Sequence, residues 1–392
     1  MLARAGEAAV YTLDSHPKLL LKIFEEPLTP REVEKIGLLA KWSRPPAHTA
    51  MPLELLSDPN TRKPFGYLQR YFTKAVPLAH MLDSNGRTQL GVPDDLYTRV
   101  KLARLLAEAI ARLHECQLVM GDVSDTNFLI DHGRFHSLTT AFVIDCNSLQ
   151  FSRRTNTGYD VFVSGVATEA FAAPEVQPTD WSKSLRSIYS DSFGLGVLAW
   201  QLIFNGSHPF AVVTLSSMDV PPLGERIQHK QFPFAAMKPL PPGWKPVVLD
   251  PPLAILPIEV ERLFVKTFTA DDPRDRPLAK EWIAAFGKWE ADLHPNIFLR
   301  SLQFVNSAWA TRVDNASGRL RPFAAILLIA TALFSAVLLP FADDMLPNSL
   351  SGPHGDETLR PLSELAPSPR DKRRDQKLFP DDFMNAFRNP KE

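Results

Sequence analysis

The chain has 392 residues, a hydrophobic fraction of 45% and a formal net charge of −1 at pH 7. This length allows a substantial core, in one large two-lobed domain or in two or three smaller domains. The near-neutral charge excludes an electrostatic argument for nucleic-acid binding, because no basic run precedes the C-terminal tail. Two cysteines, Cys116 and Cys146, are too few for a disulfide framework and lack metal-ligand spacing. The folded part is therefore expected in a reducing compartment.

Residues 1–74 are predicted to form a small β-rich lobe with one helix. The apolar runs within 2–11 and 18–24 indicate a strand, a turn and a second strand. Lys22 lies inside the second run and is expected on a buried strand. A buried ammonium is costly unless it is paired, so this lysine is predicted to have an acidic partner.

A helix is predicted over residues 30–42. Thr29 followed by Pro30 is a start signal, and apolar residues then recur at helical spacing. Further strands are expected over 53–56 and 67–72, which would complete the sheet of this lobe.

The pattern becomes helical from about residue 75. A long amphipathic helix is predicted over 96–114, because apolar residues recur along one face. These residues are Leu96, Val100, Ala103, Leu106, Ala107, Ile110 and Leu113. The helix leads to two short apolar runs, 127–130 and 141–144, which are predicted to be buried strands of a hairpin.

Three oxygen-bearing side chains surround this predicted hairpin. Asp122 precedes Asn127 by five residues in G-D-V-S-D-T-N, and Asp145 closes the second run in I-D-C-N. Magnesium-assisted phosphoryl transfer needs two groups that hold the metal and one carboxylate that accepts the proton of the attacking hydroxyl. The pattern therefore indicates phosphoryl transfer.

This spacing resembles the catalytic loop of protein kinases, H-R-D-x-x-x-x-N, with Asp145 in the place of the D-F-G aspartate. The motif sequences G-D-x-x-x-x-N and I-D-C-N are similar to those of a subgroup of bacterial kinase-like proteins. Members of that subgroup often carry a transmembrane segment, and some are encoded beside a phosphatase and a von Willebrand A-type protein. The resemblance implies an α+β, two-lobed fold, with an N-lobe over 1–74 and a larger helical C-lobe over 75–295. It also implies ATP and Mg²⁺ as cofactors, and a protein substrate.

Later motifs follow in the order that kinases use. An activation segment is expected over 152–171 and ends in Ala-Ala-Pro-Glu175. Asp191 begins a D-x-F-x-L-G-like helix, 205–210 matches the G-x-x-P-F turn, and Arg276 matches the late arginine. The resemblance implies that Asp191 holds the catalytic-loop backbone and that Arg276 pairs with Glu175.

The resemblance also assigns roles to individual residues. Asp122 would orient the substrate hydroxyl, Asn127 and Asp145 would hold magnesium, and Lys22 would hold the α- and β-phosphates. The implied nucleotide-binding positions are Gly6, Glu7, Ala8 and Val10 in the glycine-rich loop, Lys22 with its helix partner Glu34 (alternatively Glu32), and Gln69 and Tyr71 in the hinge.

Three departures bear on turnover. Gly121 replaces the arginine before the base, Ser124 stands where many kinases have lysine, and Cys146-Asn147 replaces Phe-Gly. The favoured function is an ATP- and magnesium-dependent protein Ser/Thr kinase in signalling. The alternatives are a pseudokinase that senses nucleotide or scaffolds partners, and a small-molecule phosphotransferase.

Residues 322–342 carry no charge and are long enough to span a bilayer as one helix; the alternative is a buried core helix. Within the linker 296–321, Arg312, Arg319 and Arg321 precede the segment, and Asp343 and Asp344 follow it. The positive-inside rule therefore predicts a single-pass inner-membrane protein with a cytoplasmic kinase domain. The tail 343–392 is expected to be disordered and outside the cytoplasm.

Overall fold

The computed structural model describes the chain at residues 2–5, 8–132, 138–214, 220–235, 240–247 and 252–293. These residues fall within one compact unit, Met1–Leu293. The predicted linker, membrane segment and tail lie outside the described residues, as do Gly6 and Glu7. Within the described ranges, no helix is both long and apolar enough to cross a membrane.

A five-stranded antiparallel sheet opens the structure, in the order β1-β2-β3-β5-β4. Its strands are β1 (Ala3–Ala5), β2 (Ala8–Thr12), β3 (Leu19–Phe24), β4 (Pro52–Ser57) and β5 (Pro64–Arg70). Lys22 pairs with Val10 on one side and with Tyr67 on the other. Directly opposite residues point to the same face of a sheet, so this register sets Lys22 beside Tyr67.

Helix α1 (Pro30–Ala40) packs against β4 and buries Ile36 and Leu39. Its start has a capping box, in which Thr29 Oγ1 accepts the amide of Glu32 and the Glu32 carboxylate accepts the amide of Thr29 at 2.7 Å. This reciprocal cap satisfies two of the amides that a helix start leaves unpaired. The helix predicted over 30–42 is confirmed, and it ends two residues earlier than expected.

A three-stranded antiparallel sheet carries the segments that the sequence singled out. Its order is β6 (Ala75–Pro77), β7 (Phe128–His132) and β8 (Leu138–Val143). Asn127 immediately precedes β7, and Asp145 follows the end of β8 by two residues. Because Phe128 pairs with Val143, the β7–β8 pair brings Asn127 and Asp145 to the same end of the sheet.

Six further α-helices follow in the described part of the chain. They are α2 (Ser84–Gln89), α3 (Leu96–Glu115), α4 (Ile188–Ile203), α5 (Leu223–Gln228), α6 (Ile258–Thr269) and α7 (Ala279–Leu293). The helix predicted over 96–114 is confirmed as α3, which packs against α4 and α7. The rings of Trp200, Phe264 and Trp282 form edge-on and tilted contacts in the core. This mixed architecture is consistent with a kinase-like fold.

The predicted activation segment contains an antiparallel hairpin that the sequence did not predict. Its strands are β9 (Phe151–Thr155) and β10 (Gly158–Phe162). A second short pair, β11 (Val212–Thr214) with β12 (Trp244–Pro246), lies between α4 and α6 along the chain. The first hairpin matters for the site because it carries Arg153 and Asp160, which contact helix α1.

Candidate active site

The loop that carries Asp122 is anchored from α4 by Asp191. One carboxylate oxygen of Asp191 accepts the amide of Met120 at 2.8 Å, and the other accepts the amide of Gly121 at 2.9 Å. The ring of His114, at the end of α3, bonds to the same carboxylate at 2.9 Å. Asp191 is only 1% exposed, and such charge-assisted hydrogen bonds are strong when buried. The anchoring role that the resemblance implied for Asp191 matches these contacts.

The backbone conformation and close packing of Gly121 explain why no arginine stands before Asp122. Its φ of +76° lies in the left-handed region that glycine tolerates best. A Cβ at this position would lie 2.5 Å from Cβ of Ser164 and 3.3 Å from Cγ of Arg186. The space for a side chain is therefore already filled by these two residues.

Asp122 and Asn127 form the second part of the site. Nδ2 of Asn127 donates to the backbone carbonyl of Asp122 at 2.9 Å and to its carboxylate Oδ2 at 3.1 Å. The other carboxylate oxygen, Oδ1, is buried without a donor at hydrogen-bonding distance among the described residues. Oδ1 therefore keeps its capacity to accept a hydrogen bond, although it is buried.

The pKa of the Asp122 carboxyl is raised above its ordinary value. Burial is the largest cause, since it removes solvation from the charged form, and the nearby negative charge of Asp145 adds to the rise. Hydrogen bonding from Thr168 and Asn127 acts in the opposite direction. Such a shift makes the carboxylate a better proton acceptor than an exposed aspartate.

Lys22 on β3 reaches the segment after β8. Its ammonium forms an ion pair with Asp145 and donates to Oδ1 of Asn147 at 2.8 Å. The hydroxyl of Tyr67 donates to the same Asn147 oxygen at 2.9 Å. Lys22 is 7% exposed, so these contacts provide the compensation that a buried ammonium needs.

The expected ion pair between Lys22 and Glu34 is wrong. The Glu34 carboxylate instead contacts Arg31 at 3.3 Å and Arg153 of β9 at 2.7 Å. Arg31 and Arg153 also pair with Asp160 of β10, at 2.5 and 2.9 Å. Glu34 is therefore held by one guanidinium of its own helix and one of the hairpin. The alternative, Glu32, is occupied by the cap of α1.

The structure describes some of the positions that are predicted to surround a nucleotide. Ala8 is buried on β2, and Val10 on the same strand lies opposite Lys22. Gln69 lies on β5, where its Oε1 is buried without a donor among the described residues. The amide of Tyr71 donates to the carbonyl of Lys18 at 2.9 Å, so this N–H is not available to an adenine ring. That part of the expected hinge contact is corrected.

The predicted magnesium ligands have suitable donor chemistry. Mg²⁺ is usually bound through one or two carboxylates together with substrate phosphates and water. Asp145 supplies a carboxylate whose side chain is 39% exposed, and Asn127 bonds to Asp122 through nitrogen, which leaves its oxygen as the ligand atom. No cluster of three or more His, Cys, Asp or Glu side chains suited to a metal occurs in the described ranges. The residues therefore fit a metal that arrives with phosphate, not a site built by protein alone.

Arg276 and Glu175 form the expected ion pair. Both guanidinium nitrogens of Arg276 donate to the two oxygens of Glu175 at 2.7 Å. Arg276 also donates to the carbonyl of Tyr189 at 3.2 Å. This bidentate contact ties the end of the predicted activation segment to the start of α4.

Sequence reasoning missed Tyr67, Asn147 and Arg153 as parts of this region. Asn147 had a signal, because a polar residue stands two positions after Asp145, where the D-F-G pattern has glycine. The hairpin with Arg153 also had one, because Asn156-Thr-Gly158 is a turn sequence between alternating residues. The partnership of Tyr67 with Asn147 depends on strand register and had no local signal.

Comparison with known proteins finds relatives that are named protein kinases. No family model matches the chain. The chain is 28% identical over 289 residues to the protein kinase YegI of Escherichia coli strain K12, and equally to YegI of Escherichia coli O157:H7. The aligned part is 72% of this chain and 43% of each relative, so the chain spans less than half the length of these relatives. The similarity supports a kinase-like family.

Proposed function

We propose that this chain is an ATP- and Mg²⁺-dependent protein Ser/Thr kinase. The observation that carries the proposal is the convergence of two contacts, Lys22 with Asp145 and Asp122 with Asn127. Asp145 is near enough to Asp122 for its negative charge to raise the pKa of the Asp122 carboxyl. One cation, one amide and two carboxylates thus lie together, which is the group set that phosphoryl transfer requires.

Each residue has a distinct task in this proposal. Asp122 accepts a hydrogen bond from the substrate hydroxyl through its carboxylate, and Lys22 holds the α- and β-phosphates. Asn127 and Asp145 would hold Mg²⁺, which would supply neutralisation of the phosphate charge when bound. Asp191 keeps the loop at a fixed position through two backbone amides. Positioning and electrostatic stabilisation then account for the rate, without a covalent intermediate.

A second candidate is a nucleotide-binding pseudokinase. The observation that favours it is the position of Ser124, which is fully buried and whose hydroxyl lies 3.0 Å from that of Thr126. A residue in this place cannot reach a transferred phosphate as a lysine would. The two candidates share the nucleotide site and differ in turnover.

The test is magnesium-dependent transfer of labelled γ-phosphate by the full-length protein, alone and with a generic basic protein. Asp122→Asn is expected to lower the rate by about 100-fold or more, as loss of a general base does. Asp145→Asn is expected to weaken the magnesium dependence. Asp125→Asn, which changes a carboxylate three residues along the same loop, is the matched control.

The outcomes separate the candidates. Transfer that Asp122→Asn abolishes and Asp125→Asn preserves supports the kinase. ATP that raises the melting temperature without transfer, in a manner that needs magnesium and Asp145, supports the pseudokinase. A folded protein that neither binds nor transfers would reject the nucleotide site.

Membrane attachment through 322–342 is a separate proposal, and it rests on the uncharged sequence of that segment and its flanking charges. Cell fractionation tests it. The full-length protein should stay in the membrane fraction at alkaline pH, and protease added from outside should remove only the tail. Release by alkali would contradict the proposal.

A further inference from the structure

Asn147 is fixed from two sides at the ammonium of Lys22. Its Oδ1 accepts hydrogen bonds from Lys22 at 2.8 Å and from the Tyr67 hydroxyl at 2.9 Å. Tyr67 is fully buried and lies opposite Lys22 in the sheet. The carboxamide therefore sits where two neighbouring strands converge, and its orientation is set by a rigid element.

The turn after β8 delivers Asn147 to this place. Asp145 has a φ of +59°, in the left-handed region, and a short 3-10 turn, Cys146–Ser148, follows. The Ser148 hydroxyl donates to the carbonyl of Asp145 at 2.8 Å, which closes the turn. Asp145 and Asn147 can therefore both face Lys22 although only one residue separates them.

We propose that Asn147, held by Tyr67, is the positioning residue that orients Lys22 toward the nucleotide phosphates, in place of a glutamate on α1. The proposal rests on the proposed function. The only carboxylates of α1 are Glu32 and Glu34, and both have other partners. Asn147 remains as the neutral acceptor that holds the lysine.

Asp145 cannot hold the lysine alone. In the proposed function its carboxylate binds magnesium, and its side chain is 39% exposed against 9% for Lys22. Asn147 has no such second task, because its oxygen already accepts two hydrogen bonds, the number that its lone pairs allow. Lys22 therefore keeps a fixed partner when Asp145 turns to the metal.

A neutral partner also has an electrostatic consequence. A second carboxylate beside Asp145 would cancel more of the lysine charge, whereas the carboxamide of Asn147 cancels none of it. The neighbouring cations on α1 and β9, Arg31 and Arg153, are engaged with Glu34 and Asp160.

The first experiment needs no nucleotide. The full-length protein is pulse-labelled with acetic anhydride, and acetylation of Lys22 is measured by mass spectrometry. Lys35 is the internal reference, because it is also buried and has its own acceptor, the carbonyl of Val163 at 2.7 Å. Asn147→Ala is expected to raise the labelling of Lys22 relative to Lys35 by about tenfold, the factor for one hydrogen bond to a charged group.

Three further variants sharpen this result. Tyr67→Phe removes only the hydroxyl and should give a smaller rise, because Asn147 loses its support. Asn147→Asp restores an acceptor and should return the labelling toward that of the wild type. Glu34→Gln tests the rival partner and should change the labelling by less than about twofold. Equal rises in Glu34→Gln and Asn147→Ala, or no rise in Asn147→Ala, would overturn the proposal.

The second experiment measures ATP turnover in the same variants. Asn147→Ala should raise KM for ATP by about tenfold with a smaller effect on kcat, since the lysine contacts phosphate in ground and transition states alike. Asn147→Asp should recover part of KM, because it restores the acceptor while its charge partly cancels that of the lysine. Equal defects in both variants, with lowered melting temperatures, would show a merely structural role and reject the proposal.

Failure of the two proposals is distinguishable. A wild-type protein without nucleotide binding or transfer rejects the proposed kinase function, and with it the task of Lys22 toward phosphate. The labelling experiment then still decides whether Asn147 holds Lys22. Active wild type with unchanged labelling and KM in Asn147→Ala rejects the positioning role alone.

Discussion

The ammonium of Lys22 and the carboxylate of Asp145 form an ion pair between segments that are 123 residues apart in sequence. The lysine end of this pair is buried, whereas the aspartate end is more than a third exposed. The pair therefore joins the five-stranded sheet to the segment after β8, and it leaves one end accessible to a ligand. A carboxylate in this position can serve both the fold and a bound cation.

Loss of this carboxylate should lower stability. Asp145→Asn is expected to lower the free energy of unfolding by about 1–2 kcal/mol, because the buried ammonium then has only neutral acceptors. Lys22→Met removes the cation, so Asp145→Asn should cost less stability in the Lys22→Met background. A double-mutant cycle by urea unfolding checks the coupling, and additive effects of the two substitutions would contradict it.

The pair of Arg276 and Glu175 should respond to a conservative change. Arg276→Lys loses the bidentate contact while it keeps the charge, and Arg276 is only 1% exposed. We expect a loss of about 2 kcal/mol in the free energy of unfolding. Arg274→Lys is the matched control, since this neighbour pairs with Asp272 on the surface and should leave the free energy of unfolding nearly unchanged. Equal losses in the two variants would show that burial of the pair does not matter.

Helix α3 and the segments around Asp122 and Asp145 were predictable because their signals are local. A helical repeat of apolar residues fixed α3 to within one residue at its end. The spacing of Asp122 and Asn127 spans a short turn, so their contact follows from nearby sequence. The expected Arg276 pair came from motif order, not from local physics.

The partner of Glu34 was not predictable in the same way. Glu34 finds Arg153, 119 positions along the chain, only because the β9–β10 hairpin lies against α1. Nothing in the helical pattern of α1 distinguishes a carboxylate that faces Lys22 from one that faces this hairpin. The choice is made by tertiary placement, and the sheet register that joins Tyr67 to Asn147 has the same origin.

Gly121 should tolerate no side chain. Gly121→Ala is expected to cost about 2–3 kcal/mol, because it adds a close contact with Ser164 to the strain of a positive φ. Gly165→Ala isolates the strain, since Gly165 has a φ of +84° and no atom lies within 4 Å of its added Cβ. That control should cost about 1 kcal/mol.

A second-site change separates contact from strain at Gly121. Ser164→Gly removes the Cβ that the new methyl group would meet. In the Gly121→Ala background it should recover part of the lost stability, as measured by thermal or urea unfolding. Equal costs for Gly121→Ala and Gly165→Ala would show that the contact with Ser164 is relieved without penalty.

His208 should make stability depend on pH. Its Nε2 donates to the carbonyl of Ala170 at 2.8 Å, and its Nδ1 accepts the amide of Phe210 at 3.2 Å. The residue is half-buried, but both nitrogens are occupied in the neutral ring, and protonation of Nδ1 would break the bond to Phe210. Burial lowers the pKa of His208 from 6.5 to about 4, and the nearby charge of Arg226 adds to the effect.

The direction of the pH dependence follows from this shift. Between pH 6.5 and about 4 the unfolded chain binds the proton and the folded chain does not, so stability falls as the pH falls through this window. The contribution of His208 is fully present above pH 6.5, and about 2 kcal/mol of it should be lost by pH 4.5. Urea unfolding across this range should show a shallower slope for His208→Gln than for the wild type, whereas His229→Gln, at an exposed histidine, should retain the slope. Equal slopes in the wild type and His208→Gln would mean that the ring is protonated in the folded protein as readily as in the unfolded chain.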